Sequence, residues 1–359
     1  MDINKLILPR IRNLQPYSSA RSEAIDNEAI CMDANENPFV ASGRYPDPNQ
    51  TQLRTAIADF YRLPMEQIMA GNGSDEIIDL LLRAFADVET STVVIPQPTY
   101  GMYEVLAKLQ NLDVQRVLLE KDFQLNADAV LDATRGATGI IFLCSPNNPS
   151  GNVFQVREVE KVLRNFKGIV VLDQAYVEFS DSPAWRNRIN EFPNLVVLQT
   201  FSKAWGLASA RVGLVFANPL VINALLRMKL PYNVNTSSQQ AAIAMLQKSA
   251  QVRCWVESLK YERERLVERL AQLPIVERVY PSDANFLLVK FIDANETYDF
   301  LKKRGIIVRN RSTDVLCENM LRISIGTVAQ NNLLIAVLES FNQAPVGNSS
   351  AVQLLNKIV

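Results

Sequence analysis

The stretch LVVLQTFSKAWGLASARVGLVF, residues 195–216, decides how this chain folds. It opens with an apolar run, 195–198, and closes with another, VGLVF at 212–216. Runs that are apolar at every position, not every second one, fit strands of a sheet covered on both faces. Ser202 and Lys203 fall at the carboxyl end of the first run, and Arg211 follows eight residues after the lysine. Ligands of open α/β sheets collect outside the carboxyl ends of strands. A lysine there can form a Schiff base with an aldehyde cofactor and later carry a proton, while Ser202 and Arg211 hold the cofactor's phosphate. Taken by itself, the lysine reads more readily as a solvent-facing loop residue.

The same texture recurs upstream. TVVI (92–95), GIIFL (139–143) and GIVVL (168–172) are apolar runs, and helix-like stretches lie at 51–62, 74–86, 101–110 and 154–165. The expected fold class is α/β, an αβα large domain with a mostly parallel sheet. Neither GxGxxG nor GxxxxGK[ST] occurs, so no dinucleotide fingerprint or P-loop is expected. Past residue 235 the texture changes. A helical stretch at about 237–271 reads as a connector. VERVY, NFLLVKF (285–291), a helix near 295–304, GIIV (305–308), MLRISI (320–325) and a helix near 328–341 then read as a smaller α+β unit. The division expected is an N-terminal arm, 1–44, packing on the small domain; a large domain, 45–235; connector and small domain, 236–343; and a flexible tail, 344–359.

Composition narrows the chemistry. The chain of 359 residues has 37 Lys plus Arg against 38 Asp plus Glu, so no basic excess favours nucleic acid. Its four cysteines, Cys31, Cys144, Cys254 and Cys317, form no CxxC pair, which argues against a thiolate metal site or a disulfide framework. Histidine is absent, which removes imidazole bases, Ser-His pairs and histidine metal ligands. A lysine, a carboxylate or a cofactor must move any proton. No metal is expected. No export signal or membrane span is read, and a cytoplasmic location is expected.

Four further segments carry candidates. VVLDQAYVEF (170–179) ends a strand in Asp173, with Tyr176 three residues on. A buried strand-end carboxylate needs a cation or donor, and a protonated pyridine nitrogen is one such partner; a helix N-cap is the alternative. Tyr176 could reach a phenolic oxygen on that ring. CSPNNPSG (144–151) offers Asn148 as an amide donor to the same oxygen, or is a plain turn. GNGSDEIIDLLLRAF (71–85) becomes a helix at about Ser74, where backbone N–H groups and the Ser74 hydroxyl can cradle an anion. PQPTYGMY (96–103) offers Tyr100 as a flat ring to stack on the cofactor, or as core packing.

GNGSDE, PTYGMY, SPNNPSG, DQAY and FSKAWGLASAR, in this order and at this spacing, resemble the fold-type-I pyridoxal-phosphate aminotransferases. DANENP (33–38), YPDP (45–48) and LPRIRNLQPYSSAR (8–21) are similar to the histidinol-phosphate aminotransferase branch, and the likeness covers about residues 6–341. Related phenylalanine aminotransferases and threonine-phosphate decarboxylases share parts of these motifs. The resemblance implies pyridoxal 5'-phosphate as cofactor and transfer of an amino group from L-histidinol phosphate to 2-oxoglutarate, in histidine biosynthesis. It implies that Lys203 carries the cofactor and shuttles the proton, that Asp173 faces the pyridine nitrogen, and that Asn148 and Tyr176 donate to the phenolic oxygen. It implies that Tyr100 stacks on the ring, and that Gly73, Ser74, Asp75, Ser202 and Arg211 surround the phosphate. Tyr45 would reach the phosphate of a neighbouring subunit, which implies a homodimer with shared sites. Arg322 would clamp the substrate's anionic group, and Tyr17 and Asn35 would line the substrate pocket. Ser18, Ser19, Arg21, Tyr232 and Asn233 are further candidates for phosphate selectivity. The chain departs from the family at FSKAW, where LSKAF is commoner, and at DQAY, where DEAY is. Trp205 is expected to reshape the pocket, and with Tyr103 could form an apolar ring slot.

Overall fold

The computed structural model describes residues 1–16, 30, 32–40 and 43–342. Seven strands form the main sheet: β1 (Ile68–Asn72), β2 (Ser91–Gln97), β3 (Asp113–Leu118), β4 (Thr138–Cys144), β5 (Ile169–Asp173), β6 (Leu195–Thr200) and β7 (Val212–Ala217). Their spatial order is β1-β7-β6-β5-β4-β2-β3. β2 to β6 pair in parallel, and β7 runs antiparallel to both β6 and β1.

The continuous apolar runs bury both faces of this sheet. Ile141, Leu143, Val170, Leu172, Val197 and Leu214 belong to one core, while Ile140, Phe142, Val171, Val196, Leu198 and Val215 belong to the other. Alternate residues of one strand thus enter opposite cores, as a period of two requires. The helices Thr51–Tyr61, Ala127–Ala133 and Val156–Asn165 contribute to the first core, and Ser74–Phe85, Met102–Leu109 and Pro219–Met228 to the second. Burying each branched side chain stabilises by about 1.5–3 kcal/mol, so this double-sided core holds the strand ends firmly.

A second, antiparallel sheet has the order β10-β11-β9-β8, with β8 (Val276–Val279), β9 (Phe286–Phe291), β10 (Arg309–Asn310) and β11 (Met320–Ser324). Leu266, Leu270, Leu301, Leu334 and Leu338 from three helices complete its core.

Three local expectations are corrected. The 237–271 stretch is two helices, Thr236–Gln247 and Ser249–Ala271, joined at Lys248, whose backbone leaves the helical region. GIIV is not a strand; β10 begins only at Arg309. Residues 3–12 pack on the large sheet's second core, not on the small unit. Ile3, Ile7 and Ile11 join that core from two short helices, Ile3–Leu6 and Pro9–Arg12, and the extended link between them. Leu8 N–H donates to the Ala84 carbonyl at 2.9 Å, and Arg227 Nη1 donates to the Arg12 carbonyl at 2.7 Å. The expected tail, 344–359, lies outside the described residues, as does Tyr17. Among the described residues no helix is long and apolar enough to cross a membrane.

Candidate active site

Parallel strands deliver their following loops to one edge of the sheet, and the candidate residues stand there. Asp173 is the last residue of β5 and only 4% exposed. Tyr103 Oη donates to its Oδ2 at 2.6 Å, and Ala175 N–H donates to its Oδ1 at 3.0 Å. Burial raises the Asp173 pKa above the ordinary carboxylate range, against those two donors and the nearby Lys203 ammonium. A cation set against this buried carboxyl would offset the cost of its burial.

Lys203 follows β6 and remains accessible to solvent. Its Nζ lies 5.5 Å from the centroid of the Tyr176 ring. Partial desolvation lowers its pKa, helped by the positive charges of Arg322 and Arg211 and opposed by Asp173 and Asp75. Tyr176 is buried, with its ring edge-on to Phe286 of β9 at 5.1 Å. The small sheet therefore closes one side of the site.

Asn148 is held by its neighbour. Asn147 is fully buried, donates to the Pro98 carbonyl (3.0 Å) and Ser150 Oγ (2.7 Å), and accepts from Thr99 Oγ1 (3.0 Å). Asn148 Oδ1 accepts a hydrogen bond from Arg322 Nη1 of β11, which leaves the Asn148 amide NH₂ as the donor a ring oxygen would meet. Arg322 also lies over the Phe286 ring at 5.3 Å, and its Nε is buried with no acceptor among the described residues. Burial and the positive charges of Arg311 and Arg309 lower its pKa, against Tyr176 and Asp314. A guanidinium with an orphaned donor is a site for an anion.

At the far side, the helix Ser74–Phe85 begins where β1 ends, as expected from GNGSDE. Gly73 has φ +78°, and a Cβ there would lie 2.3 Å from Arg211 Nη2. Only glycine lets the arginine come this close to the helix start. Arg211 Nη2 sits 3.4 Å from Asp75 Oδ2, and Tyr100 Oη donates to Asp75 Oδ1 at 3.0 Å. Ser202 N–H donates to Thr200 Oγ1 at 3.1 Å, and that hydroxyl donates to Ser202 Oγ at 3.0 Å. Helix N–H groups, a hydroxyl and a guanidinium are a donor set that suits a phosphate.

Of the remaining candidates, Tyr45 is half-exposed and stacks on Tyr232, 4.4 Å between centroids. Asn35 is exposed with φ 54°, and the hydrogen bonds that join the cluster do not include it. Asn233 accepts from Gln50 Nε2 (2.7 Å) and donates to Glu76 Oε2 (2.8 Å), so both ends of its amide are tied to the protein. The expected ring slot is also corrected. Tyr103 is fully buried, stacked on Phe142 at 4.7 Å and bonded to Asp173. Trp205 is 4% exposed and belongs to the core. Ser18, Ser19 and Arg21 lie with Tyr17 outside the described residues. Among the described residues no group of three or more Cys, Asp or Glu is placed to hold a metal ion.

A lysine, a strand-end carboxylate and this donor set on one sheet edge define a class of protein. The chain belongs to the aminotransferase class I and II family, whose family model matches residues 18–338. Its curated relatives include a histidinol-phosphate aminotransferase of Bacteroides thetaiotaomicron, 48% identical over 341 residues, covering 94% of this chain and 99% of that one. Another, from Flavobacterium johnsoniae, is 45% identical over 345 residues, with 95% and 99% covered. Among solved structures, a histidinol-phosphate aminotransferase from Clostridium acetobutylicum matches with TM-score 0.78 at 24% identity, covering 84% of this chain and 91% of that one. The L-threonine-O-3-phosphate decarboxylase of Porphyromonas gingivalis matches with TM-score 0.72 at 26% identity, with the same shares covered. The fold is the fold-type-I architecture of pyridoxal-phosphate enzymes.

The family's cofactor is pyridoxal 5'-phosphate, and the residues present fit it. The cradle at Gly73 suits a phosphate, the buried Asp173 suits a protonated ring nitrogen, and Lys203 suits an aldehyde.

Proposed function

We infer that this chain is a histidinol-phosphate aminotransferase, converting L-histidinol phosphate and 2-oxoglutarate to imidazole-acetol phosphate and L-glutamate in histidine biosynthesis. The observation that carries this reading is the near-full-length relation to curated histidinol-phosphate aminotransferases, 43–48% identical to this chain. The bound pyridoxal phosphate supplies an aldehyde carbon and an electron sink. This chain's residues do the rest.

Lys203 is the amine that carries the cofactor and, once released, moves the substrate's α-proton at its Nζ. Its lowered pKa favours the neutral form that both tasks need. Asp173, aligned by Tyr103 and the Ala175 N–H, keeps a proton on the ring nitrogen. Asn148 and Tyr176 donate to the ring oxygen. Gly73, Ser74, Asp75, Ser202 and Arg211 surround the phosphate, and Tyr100, tethered to Asp75, stacks on the ring. Arg322, with its orphaned Nε, takes the phosphate of one substrate and a carboxylate of the other in turn, since a guanidinium fork fits either anion. Tyr17 and Asn35 complete the substrate pocket. The working form is a homodimer in the cytoplasm, in which Tyr45 reaches the partner's cofactor phosphate.

The test compares kcat/KM for histidinol phosphate, histidinol and phenylalanine, with 2-oxoglutarate as acceptor. A strong preference for the phosphorylated amine is expected, together with stoichiometric formation of pyridoxamine phosphate in single turnover. Preference for phenylalanine, or release of CO2 from added L-threonine-O-3-phosphate without pyridoxamine phosphate formed from histidinol phosphate, would overturn the reading. In the Lys203→Ala protein, borohydride should no longer trap cofactor on the chain.

A further inference from the structure

Two residues past Lys203 and two past Tyr176, the loops carry a pair that the chemistry above does not use. Trp205 Nε1 donates to Glu178 Oε1 at 3.0 Å. Glu178 stands on the short turn Val177–Phe179 that follows Tyr176, and Trp205 follows β6. The bond therefore joins the loops after two adjacent parallel strands, β5 and β6. Those loops present Tyr176 and Lys203, 5.5 Å apart from ring centroid to Nζ. The indole is seated firmly, tilted on Phe201 at 5.3 Å and edge-on to Phe60 at 5.5 Å. An indole only donates, so when buried it needs an acceptor. A phenylalanine at 205 would fill the same slot and leave Glu178 without this donor.

We propose that the Glu178–Trp205 hydrogen bond is a positioning device that holds the Lys203 loop against the Tyr176 loop, and that ionisation of Glu178 tightens this hold. The proposal rests on the reading of Lys203 as the residue that carries the cofactor.

The surroundings of Glu178 support the second half. Burial pushes its carboxyl up to about 7, against its own backbone N–H, the indole N–H and the Arg186 guanidinium. Arg186 lies over the Tyr61 ring at 4.2 Å, and burial and Glu178 together raise the Tyr61 phenol. From the helix Ser249–Ala271, Arg263 Nη1 donates to the Phe179 and Ala284 carbonyls, and Lys260 pairs with Asp181. Above about pH 7 the carboxylate accepts a charge-assisted bond from the indole; below it the neutral acid accepts a weaker one. The Lys203 loop is accordingly held more tightly on the alkaline side.

Three variants separate acceptor, charge and donor: Glu178→Gln keeps an acceptor without charge, Glu178→Ala removes the acceptor, and Trp205→Phe removes the donor. In the holoenzyme, Glu178→Ala and Trp205→Phe should each lower kcat roughly tenfold to a hundredfold, the scale of a misplaced catalytic group. KM for the amino donor should stay within about twofold. The double variant should be no slower than either single one. Glu178→Gln should recover most of the rate and lose its dependence on pH near neutrality. A second readout does not need turnover. Tryptophan fluorescence of the wild type should titrate near pH 7, and the step should vanish in Glu178→Gln and Trp205→Phe. Additive effects in the double variant, unchanged kcat and visible absorption in all three variants with only the melting temperature lowered, or a fluorescence step that survives in Glu178→Gln, would each overturn the proposal. If the wild type does not transaminate at all, the functional reading fails, while the fluorescence arm still reads the Glu178–Trp205 bond.

Discussion

Tyr103 is the residue whose role the sequence hid. It stands in PTYGMY at a spacing that reads as pocket or core packing, and nothing in the motif shows its hydroxyl turning toward a carboxylate seventy residues away. Two aromatic faces, Phe142 and Tyr100, hold that ring in place. Its donor bond is one of two that oppose the rise in the Asp173 pKa that burial causes. Tyr103→Phe should therefore raise the Asp173 pKa further and weaken its pull on a ring nitrogen. Loss of a hydrogen bond to a charged group is worth about 1.5–3 kcal/mol, or roughly tenfold to a hundredfold in cofactor Kd. Titrating apoenzyme with pyridoxal phosphate by absorbance measures it. An unchanged Kd would show that the Ala175 N–H alone suffices. Lys203 gives a second prediction at this scale. Its pKa is lowered by desolvation and then by Arg322, so the neutral amine is present further toward neutral pH than an ordinary lysine allows. Replacing Arg322 with Gln removes a positive neighbour and should shift the pH midpoint for cofactor capture upward. Stopped-flow capture rates between pH 6 and pH 10 (roughly the window over which a depressed lysine titrates) would report it.

At the scale of elements, the five inner strands of the main sheet were legible and its two edge strands were not. TVVI, GIIFL, IVVL, LVVL and VGLVF all lie in strands, as short, branched, continuously apolar runs suit a sheet covered on both faces. β3, DVQRVL, sits at the sheet edge with only partial burial, so its composition carries no strand signal. β1, IMAGN, dissolves into the glycine-rich loop that was read as a phosphate cradle. The candidate site followed the same logic. Residues at strand ends were legible, whereas Tyr103, inside a helix, and the Glu178–Trp205 pair, which links two loops, depend on contacts between elements. The reversal of β7 also went unseen, and it matters to the site. Antiparallel pairing sets Gly71 against Gly213. A Cβ on Gly213 would lie 2.5 Å from the Gly73 carbonyl carbon and from Ser74 N. These are backbone atoms and cannot swing aside. Gly213→Ala should cost about 1–3 kcal/mol by overpacking and lower the melting temperature. Gly73→Ala should displace the Arg211 side chain and lower cofactor affinity more than stability. Calorimetry and cofactor titration on both proteins distinguish the two; equal effects on both quantities would refute the cradle reading of Gly73.

At the scale of the whole molecule, the exposed apolar side chains bear on the proposed homodimer. Ile30, Met32 and Phe39 are 88%, 90% and 93% exposed, and Leu230 is 72% exposed beside the Tyr232 that stacks on Tyr45. Side chains of this kind left in water argue for a covering surface. The segment that bears them leads directly to Tyr45, the residue the family likeness assigns to a neighbouring cofactor. A half-buried lysine ties this region to the cradle. Lys229 Nζ donates to the carbonyls of Pro48 and Pro231 and to Asn233, burial brings its pKa down to about 8, and Asn233 in turn bonds Glu76 in the helix that starts at the cradle. A partner seated on the 30–45 segment would thus be in mechanical contact with the phosphate site. A C₂ homodimer is expected by sedimentation equilibrium, with the same apolar patch on both subunits. Phe39→Asp combined with Met32→Asp should shift the protein to monomer and lower cofactor affinity together, because each subunit loses the other's Tyr45. Tyr45→Phe should weaken the cofactor without changing the oligomeric state. A monomer that binds the cofactor and turns over as the wild type does would place the whole site within one chain and remove Tyr45 from it.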